Sequence, residues 1–231
     1  MMQLSSAYQD ISFEHDCPLF KNMHEYEREK LSQHARLRVL SKQQNLFMQH
    51  SPSDRLFNIA SGVGTVEKIS SNGKRQILAF IFPGDFVGLS HSSHYEYGVK
   101  SISAMTAYEF KRNTLLALSE ELPTLKTNIR DIRSLVLALT LEQVYLLGQL
   151  KANERVCFML KQLLQRIPGA RPDRIELPMT RVDIADYLGL TVETVSRSLS
   201  QLKRDGVIST ISPNAVKILK MDAVEELADI E

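Results

Sequence analysis

Four side chains near the C-terminus have the types and the spacing needed to contact the edges of DNA bases. Val192, Glu193, Ser196 and Arg197 recur at helical intervals on one side of a predicted helix, and Ser200 continues that side. Arginine can donate to both acceptors of guanine, glutamate can accept from cytosine, and an aliphatic group can contact the methyl of thymine. We predict that these four residues read bases. The alternative is a plain intrahelical ion pair between Glu193 and Arg197.

Two short predicted helices and a tight turn must position these side chains. Thr180 is a predicted N-cap, Gly189 ends the first helix, and Thr191 caps the second. Two short β-prone runs follow the second helix. Two helices at a glycine turn followed by a β-hairpin are typical of a winged helix-turn-helix.

The distribution of charge agrees with a nucleic-acid partner. The whole chain of 231 residues carries 28 Lys and Arg against 27 Asp and Glu, a net charge of +1. Within residues 151–221, however, twelve basic residues face seven acidic ones, a difference of +5. A local excess of positive charge is what attraction to phosphates requires.

The N-terminal half has the pattern of short antiparallel strands. Predicted strands occupy residues 55–61, 63–69, 76–82 and 100–110; the second and the fourth alternate between apolar and polar residues, and the third is apolar. Asn72-Gly73 supplies the positive φ of a hairpin turn, and Pro83-Gly84-Asp85 closes the third run. Many short strands with regular turns predict a β-roll or barrel.

A long helix is predicted over residues 128–150. Its apolar positions alternate in steps of three and four, which is the heptad pattern of a coiled coil. One interpretation is a helix that covers the β-domain; the other is a dimer stem in which Gln143 fixes the register. The predicted dimer-interface residues are Ile129, Ile132, Val136, Leu139, Gln143, Leu146 and Leu150.

The run from Leu177 to Arg197, Leu-Pro-Met-Thr-Arg-Val-Asp-Ile-Ala-Asp-Tyr-Leu-Gly-Leu-Thr-Val-Glu-Thr-Val-Ser-Arg, resembles the DNA-binding signature of the CRP/FNR transcription regulators, in the FNR and FixK branch. Ser61-Gly62, Asn72-Gly73 and the run from Pro83 to Gly88 resemble the sensor of the same family. The resemblance implies an α+β fold: an N-terminal β-roll like a cyclic-nucleotide-binding domain, a long dimerisation helix and a C-terminal winged helix-turn-helix.

The resemblance also implies a mode of DNA reading. Family members are homodimers that place one recognition helix in each half of a palindrome. The FNR-like pattern falls here on Glu193, Ser196 and Arg197, which implies the site TTGAT-N₄-ATCAA. Phosphate contacts, which set register without reading sequence, are predicted for six residues. These are Thr180, Arg181, Thr191, Thr194, Lys203 and Arg204.

Three regions and their partners follow from the resemblance. We expect a sensor roll over residues 1–118, a dimerisation helix over 119–150 and a DNA-binding domain over 151–231. The expected partners are double-stranded DNA, a second copy of the chain and RNA polymerase, and the expected role is activation. Motifs of enzyme chemistry, such as a glycine-rich phosphate loop or a nucleophile elbow, are absent from the sequence.

The sensor lacks the residues that bind the family's usual effectors. Leu89 follows Gly88 where cyclic-nucleotide members carry Glu, and Gly98-Val99 stand near the position of their Arg-Ser or Arg-Thr pair. Iron–sulfur members use four cysteines, whereas this chain has two, Cys17 and Cys157. We expect no cofactor: no cyclic nucleotide, no iron–sulfur cluster and no haem. The regulator is then effector-independent; the alternative is DNA binding switched by an unrecognised ligand or haem in the roll.

Three further residues have two readings each. Cys157 is either a packed core thiol or a redox switch near DNA. His91 and His94 are either solvated loop histidines or, if helical, a metal or haem site that lacks an evident third ligand, so we predict no metal.

Targeting signals and membrane spans are absent from the sequence pattern. Residues 1–10 have neither a basic nor an apolar segment of a signal peptide, and uninterrupted apolar runs such as 135–139 are far too short for a membrane span. We expect a cytoplasmic protein with no membrane partner.

Overall fold

The computed structural model describes residues 17–167 and 169–228. The prediction about a signal peptide in residues 1–10 lies outside this part of the chain. The helices are η1 Pro18–Phe20 (a 3₁₀ turn), α1 Glu25–Ser32, α2 Arg112–Glu121, α3 Pro123–Gln149, α4 Ala152–Arg166, α5 Arg181–Leu188, α6 Val192–Arg204 and α7 Met221–Leu227. The strands are β1 Arg36–Leu40, β2 Asn45–Phe47, β3 Arg55–Ser61, β4 Gly64–Ile69, β5 Arg75–Ile81, β6 Phe86–Val87, β7 Gly98–Ser101, β8 Met105–Lys111, β9 Ile175–Glu176, β10 Ile208–Ser212 and β11 Ala215–Ile218.

Strands β1 to β8 form the predicted roll from two antiparallel sheets. One sheet has the order β1-β8-β3-β6 and the other has the order β2-β7-β4-β5. The two sheets share one apolar core, to which Phe47, Phe57, Tyr95 and Met105 contribute buried side chains. The α+β fold class predicted from the sequence is therefore confirmed.

The run predicted as one strand over residues 100–110 is two strands, β7 and β8. The chain turns between them, where the Ile102 N–H donates to the carbonyl of Val63 at 2.9 Å. Gly62 makes this turn possible, because its φ is +82° and a Cβ there would meet the Ala104 oxygen at 2.2 Å. A contact between residues 39 positions apart thus ends a strand whose local pattern continues.

The helical region after the roll is interrupted once. Residues 119–121, which we assigned to the dimerisation helix, end α2, and α3 begins at Pro123. Leu122 between them has φ −117° and ψ 95°, an extended conformation. A proline disfavours the helical conformation in the residue before it, which accounts for the break.

One face of α3 packs against the chain's own domains. Ile129 and Ile132 are each 5% exposed and belong to an apolar cluster with Phe20 and Leu115. Leu146 is fully buried in the core of the C-terminal module. The prediction that these three isoleucine and leucine residues form a dimer interface is wrong, because a surface buried within one chain is not available to a second copy.

The other predicted interface residues are divided. Leu150 is half-buried against the C-terminal core, and the Gln143 amide donates to the Tyr187 carbonyl at 2.9 Å within the chain. Leu139 is half-buried, and Val136 is 48% exposed. Gln143 therefore has an intrachain partner and not the free amide that a register-fixing role requires.

The opposite face of α3 carries an apolar stripe in solvent. Leu137, Leu141 and Val144 are 60%, 61% and 63% exposed. Their spacing of four and three places them in one line along the helix, and Gly148 extends the line by four residues. We call Leu137, Leu141 and Val144 the outer stripe.

Residues 151–228, apart from 168, form the predicted winged helix-turn-helix. Helices α4, α5 and α6 pack around Leu160, Ile184 and Leu199, and α7 covers α4. Strands β10 and β11 form the wing, and β9, which the sequence pattern did not indicate, pairs with β11. Ile77 and Phe80 of strand β5 belong to the same apolar cluster, so one core joins the roll to this module.

Candidate nucleic-acid interface

Particular residues fix both ends of α5, the first helix of the helix-turn-helix. The Thr180 hydroxyl accepts from the Asp183 N–H at 3.1 Å, and the Asp183 carboxylate accepts from the Thr180 N–H at 2.9 Å. Helix α5 ends at Gly189, whose φ is +63° and where a Cβ would lie 3.1 Å from Leu147. The predicted cap and the predicted glycine turn are both present.

Helix α6 has one buried face and one exposed face. Thr191 caps it by accepting from the Thr194 N–H at 3.2 Å. Val195, Ser198, Leu199 and Leu202 are buried. The exposed side carries the residues that we call the reading face: Glu193, Ser196, Arg197 and Ser200.

Hydrogen bonds within α6 orient the charged side chains of the reading face. The Arg197 guanidinium donates to the Thr194 hydroxyl at 3.3 Å. The backbone N–H of Glu193, the Thr191 hydroxyl and the charge of Arg197 lower the pKa of the Glu193 carboxyl. The carboxylate is therefore an acceptor and the guanidinium a donor, side by side on one exposed surface.

Val192 departs from the expected position. Its side chain is half-buried and packs against the core of the module. It lies at the margin of the reading face and presents only part of its surface to a ligand.

The predicted phosphate-contacting residues are three basic residues and three threonines. Arg181 is half-buried, and its guanidinium donates to the Pro213 carbonyl of the wing at 3.1 Å. Burial lowers the pKa of this guanidinium from its ordinary value. Lys203 and Arg204 are exposed at the end of α6. The three threonines complete the set: Thr180 caps α5, and Thr191 and Thr194 lie in the first turn of α6.

Arg155 supports the turn and was missed by sequence reasoning. Its guanidinium donates to the carbonyls of Leu147, Leu150 and Leu188 at 2.8 to 2.9 Å. These carbonyls belong to the ends of α3 and α5, so the arginine joins the long helix to the helix-turn-helix. No local pattern could show this, because the partners come from different segments.

Cys157 lies in the core, and His91 and His94 lie at the surface. Cys157 is fully buried, and burial, with a smaller effect from Glu154, raises its pKa to about 12. The redox-switch hypothesis is therefore not supported, because a neutral buried thiol reacts poorly. His91 and His94 lie in an exposed loop, where the His91 ring is 3.0 Å from Glu96. No cluster of potential metal ligands occurs among the described residues.

Comparison with known proteins identifies the family to which this chain belongs. The Crp-like helix-turn-helix domain matches residues 154–227, and the cyclic nucleotide-binding domain matches residues 37–121. The transcriptional activatory protein AadR of Rhodopseudomonas palustris is 35% identical over 205 residues, which cover 87% of this chain and 84% of AadR. The chain belongs to the CRP/FNR family of transcription regulators.

Other members of the CRP/FNR family agree in sequence and in fold. The nitrogen fixation regulation protein FixK of Bradyrhizobium diazoefficiens is 35% identical over 191 residues, 81% of this chain and 80% of FixK. The solved structure of FixK2 from Bradyrhizobium japonicum superposes with a TM-score of 0.80 at 27% identity, covering 85% of this chain and 98% of that one. This CRP/FNR regulator is thus similar to the FixK branch.

The relatives of this CRP/FNR protein are transcription regulators and not enzymes. Among its described helices, none has the length and apolarity that a membrane span requires.

Proposed function

We propose that this CRP/FNR regulator binds the palindrome TTGAT-N₄-ATCAA as a homodimer and reads it through Glu193, Ser196 and Arg197. The observation that carries the proposal is the placement of these three side chains on the exposed side of α6, whose other side is buried in the module. A helix with one polar, exposed side and one apolar, buried side can enter the major groove with the first while the second stays packed in the protein core.

Each side chain has a partner in the proposed half-site. Arg197 donates to O6 and N7 of the guanine, and Glu193 accepts from N4 of a cytosine. The Ser196 hydroxyl can donate or accept, so it adapts to either neighbour. Val192 offers its exposed part to a thymine methyl at the margin of the contact.

We assign the dimer interface to the outer stripe of α3. Leu137, Leu141 and Val144 leave an apolar line uncovered on a helix whose other face is already packed against the chain. Two such lines related by a two-fold axis bury each other as a coiled coil. Gly148 supports this assignment, because no other atom lies within 4 Å of a Cβ built there, so the backbones can approach.

We propose that DNA binding needs neither cofactor nor cyclic nucleotide. The Tyr97 hydroxyl accepts from the Gly88 N–H at 3.1 Å and donates to the Leu89 carbonyl at 3.3 Å. A tyrosine of the chain therefore uses the backbone groups of the turn where cyclic-nucleotide members hold their ligand. Arg112 donates to the carbonyls of Ser53 and Ser90, so that the guanidinium is engaged beside the same loop.

A ligand-switched regulator is the second candidate, and one cleft favours it. A cleft of about 440 Å³ opens on the roll and is lined by Arg36, Arg38, Arg55, Phe47 and Tyr95 among others. Arginines beside aromatic rings suit a small planar anion, which here would compete with Glu109 of the same cleft for Arg38 and Arg55. The similarity to the transcriptional activatory protein AadR suggests that the bound dimer activates transcription through contacts with RNA polymerase.

Fluorescence anisotropy with purified protein and labelled duplexes tests the proposal. The palindrome is compared with a duplex in which the spacer is lengthened from four to nine base pairs, because five extra pairs turn the second half-site to the opposite side of DNA. We expect the ligand-free dimer to bind the palindrome about a thousandfold more tightly than a scrambled site, and the long-spacer duplex far more weakly than the palindrome. Equal binding to all three would overturn the proposal, and specific binding only after cell extract is added would favour the second candidate.

A further inference from the structure

Strand β5 of the roll contacts the first helix of the helix-turn-helix through one arginine. The Arg75 Nη2 atom lies 2.7 Å from Oδ1 of Asp183, and its Nε atom lies 2.7 Å from Oδ2 of Asp186. Glu67 of the neighbouring strand, 3.5 Å from Nη1, supports the same guanidinium from the roll side. We call Arg75, Asp183 and Asp186 the clamp.

The clamp acts on the capping box at the start of α5. The Asp183 side chain is 8% exposed and also accepts from the Thr180 N–H in the capping box. Burial tends to raise the pKa of Asp183, but the hydrogen bonds from Thr180 and Arg75 outweigh it and lower the pKa. The carboxylate is thus charged in the position where it holds both the roll and the helix start.

Further contacts between the roll and the module surround the clamp. The Gln76 amide donates to the Asp186 carbonyl, and Phe80 packs on Tyr187 with ring centroids 4.9 Å apart. Arg166 at the end of α4 pairs with Asp85 of the roll. The roll therefore touches α4 and α5, while the reading face of α6 stays exposed.

We propose that Arg75 is a positioning residue for DNA reading, which sets the angle of α6 by fixing α5 to the roll. The inference rests on the proposed function, because it assumes that two copies of α6 must meet two half-sites at once. Without the clamp, the module keeps its apolar contacts with Leu146 and strand β5 and the hydrogen bonds of Arg155, but α5 loses the ion pairs that fix its direction on the roll. Apparent affinity then falls by the fraction of molecules in which both modules have the right orientation.

The variants Arg75→Gln and Lys74→Gln form a matched pair. Both remove one positive charge from the same hairpin, but Lys74 is exposed and outside the clamp. On the palindrome we expect Arg75→Gln to bind about tenfold more weakly than wild type, and Lys74→Gln to bind within about twofold of it. On a duplex with a single half-site both variants should equal wild type, because the reading face itself is unchanged.

A double variant tests whether the arginine acts through its partner on α5. Arg75→Gln with Asp186→Asn should bind the palindrome no more weakly than Arg75→Gln alone, because the interaction is already lost. Hydrogen exchange of the free protein measures the stability of α5 independently of DNA binding. The amides of residues 181–188 should exchange faster in Arg75→Gln than in Lys74→Gln.

Three results would overturn the positioning role. These are wild-type affinity of Arg75→Gln for the palindrome, tighter binding by that variant, which would make the clamp an autoinhibitory restraint, and an equal loss on the palindrome and on the single half-site. If the wild-type protein shows no preference for the palindrome, the proposed function fails, and the exchange rates still decide whether the clamp holds α5.

Discussion

Helices α6 and α3 both have an apolar face, but they differ in what their sequences predict. The sequence of α6 predicts which side is buried within the chain, whereas the sequence of α3 does not. In α6 the apolar residues lie on one side and the polar residues on the other, so burial of Val195 and Leu199 leaves Glu193 and Arg197 outside. In α3 apolar residues occupy two sides. Steps of three and four residues occur on the side of α3 that packs against the rest of the chain, and the same steps occur in the exposed outer stripe. A hydrophobic period identifies a face but not the partner that covers it.

The largest expected effect comes from a charge in the outer stripe. Leu141→Glu should give monomers in sedimentation velocity, because two buried carboxylates would face each other across the two-fold axis. Binding to the palindrome should fall about a thousandfold, to the level of non-specific binding. Leu135→Glu is the matched control: it lies on the same helix, is 50% exposed and is outside the stripe. Dimers of Leu141→Glu, or monomers of Leu135→Glu, would show that the interface is elsewhere.

A substitution on the buried face of α3, which carries Ile129, Ile132 and Leu146, should lower the stability of the fold and leave the dimer intact. Ile132→Ala removes buried methyl groups from the cluster around Phe20 and should lower the free energy of unfolding by about 2–4 kcal/mol. The variant should stay dimeric, since the outer stripe is intact. Urea denaturation gives the stability, and Val136→Ala, at a position that is 48% exposed, should lose much less. A monomeric but fully stable Ile132→Ala would restore the interface that we have rejected.

Acid should weaken the contact between α5 and the roll. The pKa of Asp183 is lowered in the folded state, so its contribution to stability is complete above the ordinary pKa of aspartate and is lost as the pH falls through the lowered value. Asp183→Asn should cost about 1–2 kcal/mol at neutral pH through the weakened cap and the lost ion pair. The difference from wild type should shrink with acid in urea titrations; a constant difference would contradict a charged Asp183.

The smallest expected effect is at Cys157. Its pKa of about 12 keeps the thiol protonated, and the side chain is fully buried. Iodoacetamide should leave it unmodified in the native protein at neutral pH and modify it after unfolding, as mass spectrometry of the peptides can show. Fast native modification, with loss of DNA binding, would revive the redox switch.

Local chemistry is what made much of the fold predictable. The Thr180 and Thr191 caps, the Gly189 turn and the Asn72-Gly73 hairpin each require particular residue types at fixed spacing. The order of roll, long helix and winged module followed from these signals and from the family resemblance.

The remaining features depend on contacts between distant segments. Arg75 meets Asp183 across 108 positions, and Arg155 meets Leu188 across 33. The half-buried position of Val192 and the division of α3 into two apolar faces follow from the way that the module packs on the roll. A single sequence carries no signal for such pairings.

Whether α6 reads the DNA sequence is decided by the coupling between Arg197 and the guanine of the half-site. Wild-type protein and Arg197→Ala are titrated with TTGAT-N₄-ATCAA and with a duplex in which both guanines are replaced. We expect the wild-type protein to discriminate between the two duplexes by about 1–3 kcal/mol for each half-site and Arg197→Ala to bind both duplexes alike. Full discrimination by Arg197→Ala would show that this arginine does not read the guanine.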